Sequence, residues 1–329
     1  MLRHGGLNGY HAKNAKKGSG TIFAFSQAKE GEMKRFKGIF TVMLTAYDSD
    51  GKIDRGAMKD LTEYQVGSGV HGLVVLGSNG ECPYLTPHLQ RDAIDIVVES
   101  CAGKVPVIVG INERGTEQAV EMANYAEGAG ADGLLIALPL FYPLEWDSVF
   151  EHYETISRGV NLPILFYNWP ANTQLKLSPE SIARLGGIEN VVGAKETIFD
   201  VEEVRALVDA ADEDFCVFTG MTLNLVATME AGACGAICPL PNVIPETTVA
   251  LYEAIDAGDS EKAAGLQNQV FSCAPLLASS ATPHAMMKEA VRLLGHPVNT
   301  AVKGPMPRLS PEQADTVRET LKGAELIPG

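Results

Sequence analysis

The chain has 329 residues, of which 46% are hydrophobic and 20% are charged, and its formal net charge is −15. This share of apolar residues can form a large core, which excludes a disordered, fibrous or small disulfide-stapled protein. The 41 acidic residues outnumber the 26 basic ones, so the long-range field repels nucleic acid and anionic membranes. No stretch reaches the roughly 18 to 20 uninterrupted apolar residues of a membrane helix. We therefore expect a soluble globular protein with no nucleic-acid or membrane partner.

The six cysteines predict buried thiols in their reduced form. They stand in apolar surroundings without histidine partners or paired short spacings. Cys234 and Cys238 are close in sequence, but they lack the other two ligands of a structural zinc site. Reduced thiols suit a reducing compartment, so we expect a cytoplasmic protein.

Residues 1–32 differ from the rest of the chain. They include a polar stretch rich in glycine and lysine, residues 11–20, and show no sustained helical or alternating period. We interpret them as a tail or upstream extension outside the fold. A processed leader is the alternative, but residues 22–25 are too short for the apolar centre of a signal peptide. The folded unit is expected to start at Met33.

From residue 38 onward, short apolar runs rich in β-branched residues alternate with longer segments of helical periodicity. Each run is too uniformly apolar for a sheet with one face in water, which indicates a parallel sheet wrapped by helices. The eight runs are residues 39–44, 72–76, 105–109, 133–137, 163–167, 191–194, 216–219 and 235–237. Apolar spacings of three and four predict outer helices between them, for example at residues 55–66, 87–98, 117–127 and 201–208,.

Eight strand and helix repeats in about 220 residues predict an α/β fold of the (β/α)8 TIM barrel type. A doubly wound nucleotide-binding sheet would need a glycine fingerprint after its first strand, and residues 45–48 contain none,. Further helical segments follow the eighth run, at residues 245–257, 261–277, 283–294 and 311–321. We expect a barrel over residues 33–257 and a C-terminal helical appendage over residues 258–329, packed on the barrel or used in assembly.

Lys195 follows the sixth run, and chemistry in such barrels occurs at the C-terminal ends of the strands,. Its amino group would lie at the mouth of an apolar core, where burial disfavours the charged form. A neutral amine can attack a ketone and form a Schiff base, which withdraws electrons from the adjacent carbon. The alternative is a rim lysine paired with a neighbouring acid such as Glu196.

Tyr167 ends the fifth run, and Ser78 follows the second. Imine chemistry and carbon–carbon cleavage each move a proton at a fixed place, which a phenol can do with a serine as its relay. The alternative for Tyr167 is a core aromatic whose hydroxyl is bound by the backbone. The turn at residues 77–80 presents backbone N–H groups, and Asn79 adds a side-chain amide. Such a turn suits a carboxylate.

These residues resemble the class I, Schiff-base-forming lyases and synthases that include dihydrodipicolinate synthase and N-acetylneuraminate lyase. The resemblance runs over about residues 36–309, and its specific motifs lie at residues 77–81 with 85–86, 167–173 and 192–197. It implies that Lys195 forms the imine, that Tyr167 is the catalytic phenol and that Ser78 is its relay. It also implies that Gly220 and Ile237 line the site and that the chain forms a homotetramer.

Several positions distinguish this chain from particular branches of the family. Dihydrodipicolinate synthases usually have an arginine at the position of Asn172, two threonines at Ser78 and Asn79, and a relay tyrosine at Phe141. Sialic acid lyases tend to have acidic residues where residues 221–222 here are methionine and threonine. The chain therefore departs from both.

The motifs at residues 77–81 and 170–173 are most similar to those of 4-hydroxy-2-oxoglutarate aldolase, which splits its substrate into pyruvate and glyoxylate. Thr197 stands where that branch has a hydroxyl residue. The residues expected to bind substrate are Gly77, Asn79, Phe141, Asn172, Thr197, Gly220 and Ile237.

We expect an aldolase that cleaves or condenses a small 2-oxo acid through Lys195 and releases pyruvate. No metal or other cofactor is required, because the imine is the electron sink and the histidines are dispersed,. Elimination of water or ammonia from a deoxy- or hydroxy-2-oxo acid through the same imine is the first alternative. Dihydrodipicolinate synthase activity is disfavoured by the substitutions above. A barrel that binds a 2-oxo acid without turnover is the last alternative, since fold alone does not determine function.

Overall fold

The computed structural model describes residues 36–113, 115–139 and 142–329. Within them, eight parallel strands close into a barrel in chain order, and β1 pairs with both β2 and β8. The strands are β1 (Gly38–Val42), β2 (Gly72–Val75), β3 (Val107–Ile111), β4 (Gly133–Ala137), β5 (Ile164–Asn168), β6 (Val191–Glu196), β7 (Cys216–Thr219) and β8 (Gly235–Cys238). The predicted TIM barrel is confirmed. The predicted extension at residues 1–32 and the predicted site residue Phe141 lie outside the described residues.

Helices between the strands form the outer layer, and more helices follow β8. Asp54 and Thr86 cap α1 and α2, since their side chains accept hydrogen bonds from Ala57 N and Leu89 N,. The helices are α1 (Arg55–Gly67), α2 (Pro87–Cys101), α3 (Thr116–Ala129), α4 (Trp146–Gly159), α5 (Pro170–Thr173), α6 (Pro179–Leu185), α7 (Val201–Ala210), α8 (Leu225–Glu230), α9 (Pro245–Asp256), α10 (Ser260–Ser272), α11 (Pro275–Ala278), α12 (His284–Leu293) and α13 (Pro311–Gly323).

Two boundaries differ from the predictions for physical reasons. Lys195 lies inside β6 rather than after it, because Tyr167 of β5 pairs with it and extends the ladder. The single helix predicted over residues 261–277 is divided into α10 and α11. Pro275 has no N–H to continue the hydrogen-bond ladder of α10, and it begins α11 instead,.

The inside of the barrel is filled by large apolar side chains. Phe40 of β1 is 1% exposed and makes edge-to-face contacts with Phe36 and Phe218, at ring-centroid distances of 5.8 and 5.6 Å. Its ring occupies the space beside Gly72, where a Cβ would lie 2.0 Å from Phe40 Cε1. A second apolar layer lies between the strands and the helices. The barrel is therefore a packed core that is polar only at its ends.

No disulfide joins any of the six cysteines, all of which lie in the described residues. Four of them are buried as predicted: Cys82, Cys101, Cys238 and Cys273. The prediction of burial was wrong for Cys216 and Cys234, which are only partly buried. Both stand at the N-terminal ends of β7 and β8, where the barrel interior meets its lower rim.

The C-terminal region packs on itself and on the barrel. Helix α12 contacts α11 and α13, and seven of its ten residues are buried. One of them is Lys288, which reaches Glu81 at the end of the turn that follows β2. Of the helices in the described part of the chain, none has the length and apolarity to cross a membrane.

Replacing Phe40 by alanine should destabilise the barrel strongly. The change leaves a cavity where Phe36 and Phe218 lose their edge-to-face partner, which costs about 3 to 5 kcal/mol of unfolding free energy,. Urea denaturation measures this cost. The control is Phe271→Ala, because Phe271 is 50% exposed and its removal should change stability by less than about 0.5 kcal/mol. Equal losses in the two variants would contradict the packing described here.

Candidate active site

Two of the predicted catalytic side chains meet at the C-terminal end of the barrel. Tyr167 on β5 and Lys195 on β6 are register partners, so their side chains point to the same face of the sheet. Lys195 Nζ lies 4.1 Å from the centroid of the Tyr167 ring. Lys195 is 3% exposed and Tyr167 is 4% exposed. An amine and a phenol ring are thus in direct contact inside the barrel.

Lys195 has no acidic partner within the described residues, where no carboxylate lies at ion-pair distance from its Nζ. The ion pair with Glu196, considered above as an alternative, is not formed. Neighbouring residues of a strand point to opposite faces, and Glu196 Oε2 accepts a hydrogen bond from Asn168 Nδ2 at 2.8 Å. Lys195 therefore faces an aromatic ring without a counter-charge.

Gly220 provides the space that the Lys195 side chain occupies. A Cβ at Gly220 would lie 2.1 Å from Thr197 Oγ1 and 3.1 Å from Lys195 Cε. Gly220 N also donates to Glu196 O at 2.6 Å, which holds this backbone against β6. The predicted site residues Thr197 and Gly220 thus lie beside Lys195. Ile237 is buried inside the barrel, in the same apolar cluster as Tyr167.

The turn after β2 is held in a strained conformation. Leu76 has φ +62° and Glu81 has φ +61°, and a left-handed backbone costs roughly 1 to 2 kcal/mol for a residue with a Cβ. Strand β3 makes room for this turn, because a Cβ at Gly110 would lie 2.4 Å from Leu76 O. Asn112 Nδ2 donates to the same carbonyl at 3.2 Å. Neighbouring residues therefore impose the conformation of the turn.

The turn presents two backbone N–H groups for which the described residues offer no acceptor. Gly80 N and Glu81 N donate inside the turn, at 2.9 and 3.0 Å. The N–H groups of Ser78 and Asn79 make no hydrogen bond to another described residue. Gly77 allows the close approach of the turn to β1, since a Cβ there would lie 2.5 Å from Val42 Cγ1. Adjacent N–H groups of this kind can bind a carboxylate.

The predicted site residues therefore fall into three groups. Lys195, Tyr167, Thr197, Gly220 and Ile237 lie together. Gly77, Ser78 and Asn79 form the turn after β2, at the same end of the barrel. Asn172 is exposed on the short helix α5, and its side chain makes no hydrogen bond to a described residue. No three His, Cys, Asp or Glu side chains among the described residues lie close enough to hold a metal ion.

Two residues of α12 hold the turn from outside the barrel, and the sequence predicts no role for either of them. His284 Nε2 lies 3.0 Å from Ser78 O. Lys288 forms an ion pair with Glu81, and both side chains are fully buried. His284 and Lys288 are four residues apart and share one face of α12. That spacing is a local signal, but it does not identify the partner.

The model of the dihydrodipicolinate synthetase family matches residues 35–324. The chain belongs to this family. Curated relatives include a 4-hydroxy-tetrahydrodipicolinate synthase from Desulfotalea psychrophila, 29% identical, which aligns over 90% of this chain and 99% of the relative. A probable 2-dehydro-3-deoxy-D-pentonate aldolase, YjhH, from Escherichia coli is 31% identical over 90% of this chain and 100% of the relative.

Solved structures of the dihydrodipicolinate synthetase family have the same fold. The dihydrodipicolinate synthase of Aquifex aeolicus superimposes with a TM-score of 0.85 at 29% identity, over 88% of this chain and 99% of the other. YagE, a prophage protein from Escherichia coli K12 in complex with pyruvate, also has a TM-score of 0.85 at 29% identity, over 89% and 99%. The chain is therefore a class I lyase of the Schiff-base aldolase type.

Glu196, the neighbour of Lys195 in β6, is a buried acid with one hydrogen-bond partner. It is 2% exposed, and its Oε1 has no partner. Burial raises the pKa of Glu196 to about 8, and the hydrogen bond from Asn168 opposes this rise in part,. The folded protein therefore keeps Glu196 protonated at neutral pH.

Glu196→Gln should remove a pH dependence of stability. Between pH 5 and 8 the folded chain holds a proton on Glu196 that the unfolded chain releases, so the unfolding free energy of the wild type falls as the pH rises. The variant lacks this pH-dependent loss. Its unfolding free energy should therefore rise by about 3 kcal/mol relative to that of the wild type between pH 5 and pH 8. Urea denaturation at several pH values measures the difference, with the exposed Glu261→Gln on α10 as control. A difference that is constant with pH would contradict the assignment.

Proposed function

We propose that the protein is an aldolase that cleaves a 4-hydroxy-2-oxo acid into pyruvate and an aldehyde through an imine on Lys195. The observation that carries this proposal is the buried amine of Lys195, which lies on the Tyr167 ring without an acidic partner among the described residues. A lysine side chain that is not engaged in an ion pair is free to approach a ketone and form an imine with it.

The first steps join the substrate to the lysine. The substrate carboxylate binds the N–H groups of Ser78 and Asn79, and the Asn79 amide adds a further donor. Lys195 Nζ then attacks the C2 carbonyl, and the oxygen of that carbonyl leaves as water. Tyr167 donates the proton that this departure requires, with Ser78 as its relay. The product is a protonated imine whose positive charge is adjacent to C3.

The imine makes the carbon–carbon bond weak. Tyr167 accepts the proton of the 4-hydroxyl as the C3–C4 bond breaks, and the electron pair of that bond moves to the iminium to form an enamine. The aldehyde formed from C4 leaves. The enamine carbon takes a proton, and water hydrolyses the imine to release pyruvate and the free amine of Lys195. These reaction steps need no metal, because the iminium nitrogen accepts the electrons.

Two lines of support point to the same substrate core. The motifs at residues 77–81 and 170–173 are similar to those of 4-hydroxy-2-oxoglutarate aldolase, and YjhH is a probable 2-dehydro-3-deoxy-D-pentonate aldolase. Both compounds carry a 2-oxo group and a 4-hydroxyl group on a carboxylic acid. We propose this core as the substrate class, with 4-hydroxy-2-oxoglutarate as the first candidate. The two candidates differ only beyond C4, where Asn172 offers a neutral amide rather than an arginine.

Two other reactions share the imine. Several relatives are 4-hydroxy-tetrahydrodipicolinate synthases, which makes condensation of pyruvate with an aldehyde a second candidate. Against it stand Asn172, Asn79 and Phe141, at positions where those synthases usually have arginine, threonine and tyrosine. Elimination of water or ammonia is distinguished by its products, since it preserves the carbon chain. We further propose a cytoplasmic homotetramer, which sedimentation and cell fractionation test.

Borohydride reduction in the presence of pyruvate should convert Lys195 into a stable 1-carboxyethyl lysine, because hydride reduces the imine. Peptide mass mapping locates the adduct. Lys195→Arg should give no adduct and no turnover, since its guanidinium does not form the imine. In parallel, 4-hydroxy-2-oxoglutarate and 2-dehydro-3-deoxypentonate should yield pyruvate plus an aldehyde. An absence of adduct on Lys195, or turnover by the variant, would refute the imine mechanism, and products with an intact carbon chain would refute the aldolase proposal.

Tyr167→Phe should separate proton transfer from packing. The variant keeps the ring that lies against Lys195 Nζ and removes the hydroxyl alone. We expect kcat to fall by about 100-fold to 10000-fold, the range typical of a lost general acid or base, with little change in KM. Steady-state kinetics of pyruvate release gives both constants. Wild-type kcat in this variant would assign the proton transfers to another group.

A further inference from the structure

Both carboxylate oxygens of Glu81 are bound by the C-terminal helical region. Glu81 ends the turn whose N–H groups are proposed to bind the substrate carboxylate, and its side chain is completely buried. Oε1 accepts a hydrogen bond from Lys288 Nζ on α12. Oε2 accepts one from the backbone N–H of Lys303 at 2.7 Å. One end of the turn is thus attached to two separate segments that lie beyond the barrel.

Lys288 is itself fixed by further contacts. Its Nζ also donates to Ala301 O at 2.6 Å and lies 4.3 Å from the centroid of the Tyr47 ring. The Lys288 side chain is 1% exposed. These contacts leave the ammonium little freedom to move relative to α12, the segment around Ala301 and the loop after β1. The position of Glu81 is therefore tied to that of α12.

The same helix holds the other end of the turn. His284 Nε2 lies 3.0 Å from Ser78 O, and a carbonyl oxygen only accepts hydrogen bonds, so Nε2 carries the proton. Burial lowers the pKa of His284, which favours the neutral ring with this single N–H. Ser78, whose N–H is proposed to bind the substrate, therefore has its carbonyl group fixed by a hydrogen bond from His284 of α12. His284 and Lys288, four residues apart, hold Ser78 and Glu81.

A buried ion pair is a poor way to gain stability alone. Apolar side chains of similar volume often stabilise a core equally well, because burial of two charges costs as much as their attraction returns. A charge pair with fixed hydrogen bonds does, however, hold two side chains at a defined distance and orientation. The turn requires such support, since Leu76 and Glu81 both adopt strained left-handed backbone conformations. Without neighbours that hold it, the turn would relax out of these conformations.

We propose that Glu81, Lys288 and His284 are positioning residues for the substrate carboxylate. Through them, α12 sets where the N–H groups of Ser78 and Asn79 lie, and the C-terminal helical region thereby sets the affinity of the site for 2-oxo acids. This inference rests on the proposed function, in which that turn binds the carboxylate and Lys195 forms the imine. None of the three residues touches the reacting carbons.

Two variants of the full-length chain test the role of this region. His284→Ala removes the bond to Ser78 O and leaves no unpaired charge. The double variant Glu81→Gln with Lys288→Met removes both charges together. The measured quantity is the half-saturating concentration of ligand for borohydride trapping at Lys195, with pyruvate and, separately, with acetone. Acetone forms the same imine but has no carboxylate, so it reports on the lysine without the turn.

We expect the half-saturating concentration of pyruvate to rise tenfold or more in each variant, since a misplacement of about 1 Å can cost a hundredfold. The value for acetone and the adduct yield at saturation should remain as in the wild type. The matched control is Arg292→Met, which lies one turn further along α12 and pairs with Glu289 at 2.7 Å without touching the turn. This variant should change the half-saturating concentration of neither pyruvate nor acetone.

Unchanged pyruvate saturation in a folded variant would overturn the proposal, and so would an equal loss for pyruvate and acetone, because a general disturbance of the barrel affects both. If the double variant does not give the wild-type circular dichroism spectrum, His284→Ala decides the outcome alone. Failure of the proposed function has a different signature, in which the wild type itself forms no adduct on Lys195.

Discussion

Lys195 Nζ lies on the face of the Tyr167 ring, inside a barrel of apolar strands, and no carboxylate of the described chain stands beside it. The amine is thus buried against an aromatic ring and makes no ion pair with a described residue. Gly220 leaves room for the Lys195 side chain, and Glu196 points away from it, to Asn168. The proposed imine chemistry therefore depends on neighbours that leave this amine unpaired.

The acidic character of the chain creates a second constraint. A net charge of −15 repels the proposed 2-oxo acid substrate at long range, so its capture would depend on local donors. The turn after β2 concentrates such donors, but it does so in a conformation with two left-handed residues that carry side chains. Gly110 and Asn112 hold it from β3, and α12 holds it from outside. Helix α12 is therefore part of the architecture of the proposed site.

The barrel and its central pair were predictable from the sequence. Uniformly apolar runs indicate covered strands. Tyr167 ends the fifth run and Lys195 follows the sixth, which places both residues at the same edge of neighbouring parallel strands. The ends of the strands were less predictable, because β6 continues through Glu196 by pairing with both β5 and β7. The pairing of Lys195 with Glu196 was an alternative that strand alternation already argues against.

The contacts that hold the turn after β2 could not be predicted from local sequence patterns. His284 lies 206 residues from Ser78, and Lys288 lies 207 residues from Glu81. Spacing within α12 shows that these two side chains share a face, but only the tertiary fold shows what that face meets. The exposure of Asn172 on α5 likewise depends on how a four-residue helix sits at the mouth. The periodicity of apolar residues predicts neither long-range contacts nor the placement of short loop elements.

A crystal structure of the full chain after borohydride reduction with pyruvate tests the central claim most directly. The account predicts continuous density from Lys195 Nζ to C2 of the adduct, with the carboxylate within hydrogen-bond distance of the N–H groups of Ser78 and Asn79. An adduct on another lysine, or a carboxylate bound away from the turn after β2, would contradict it.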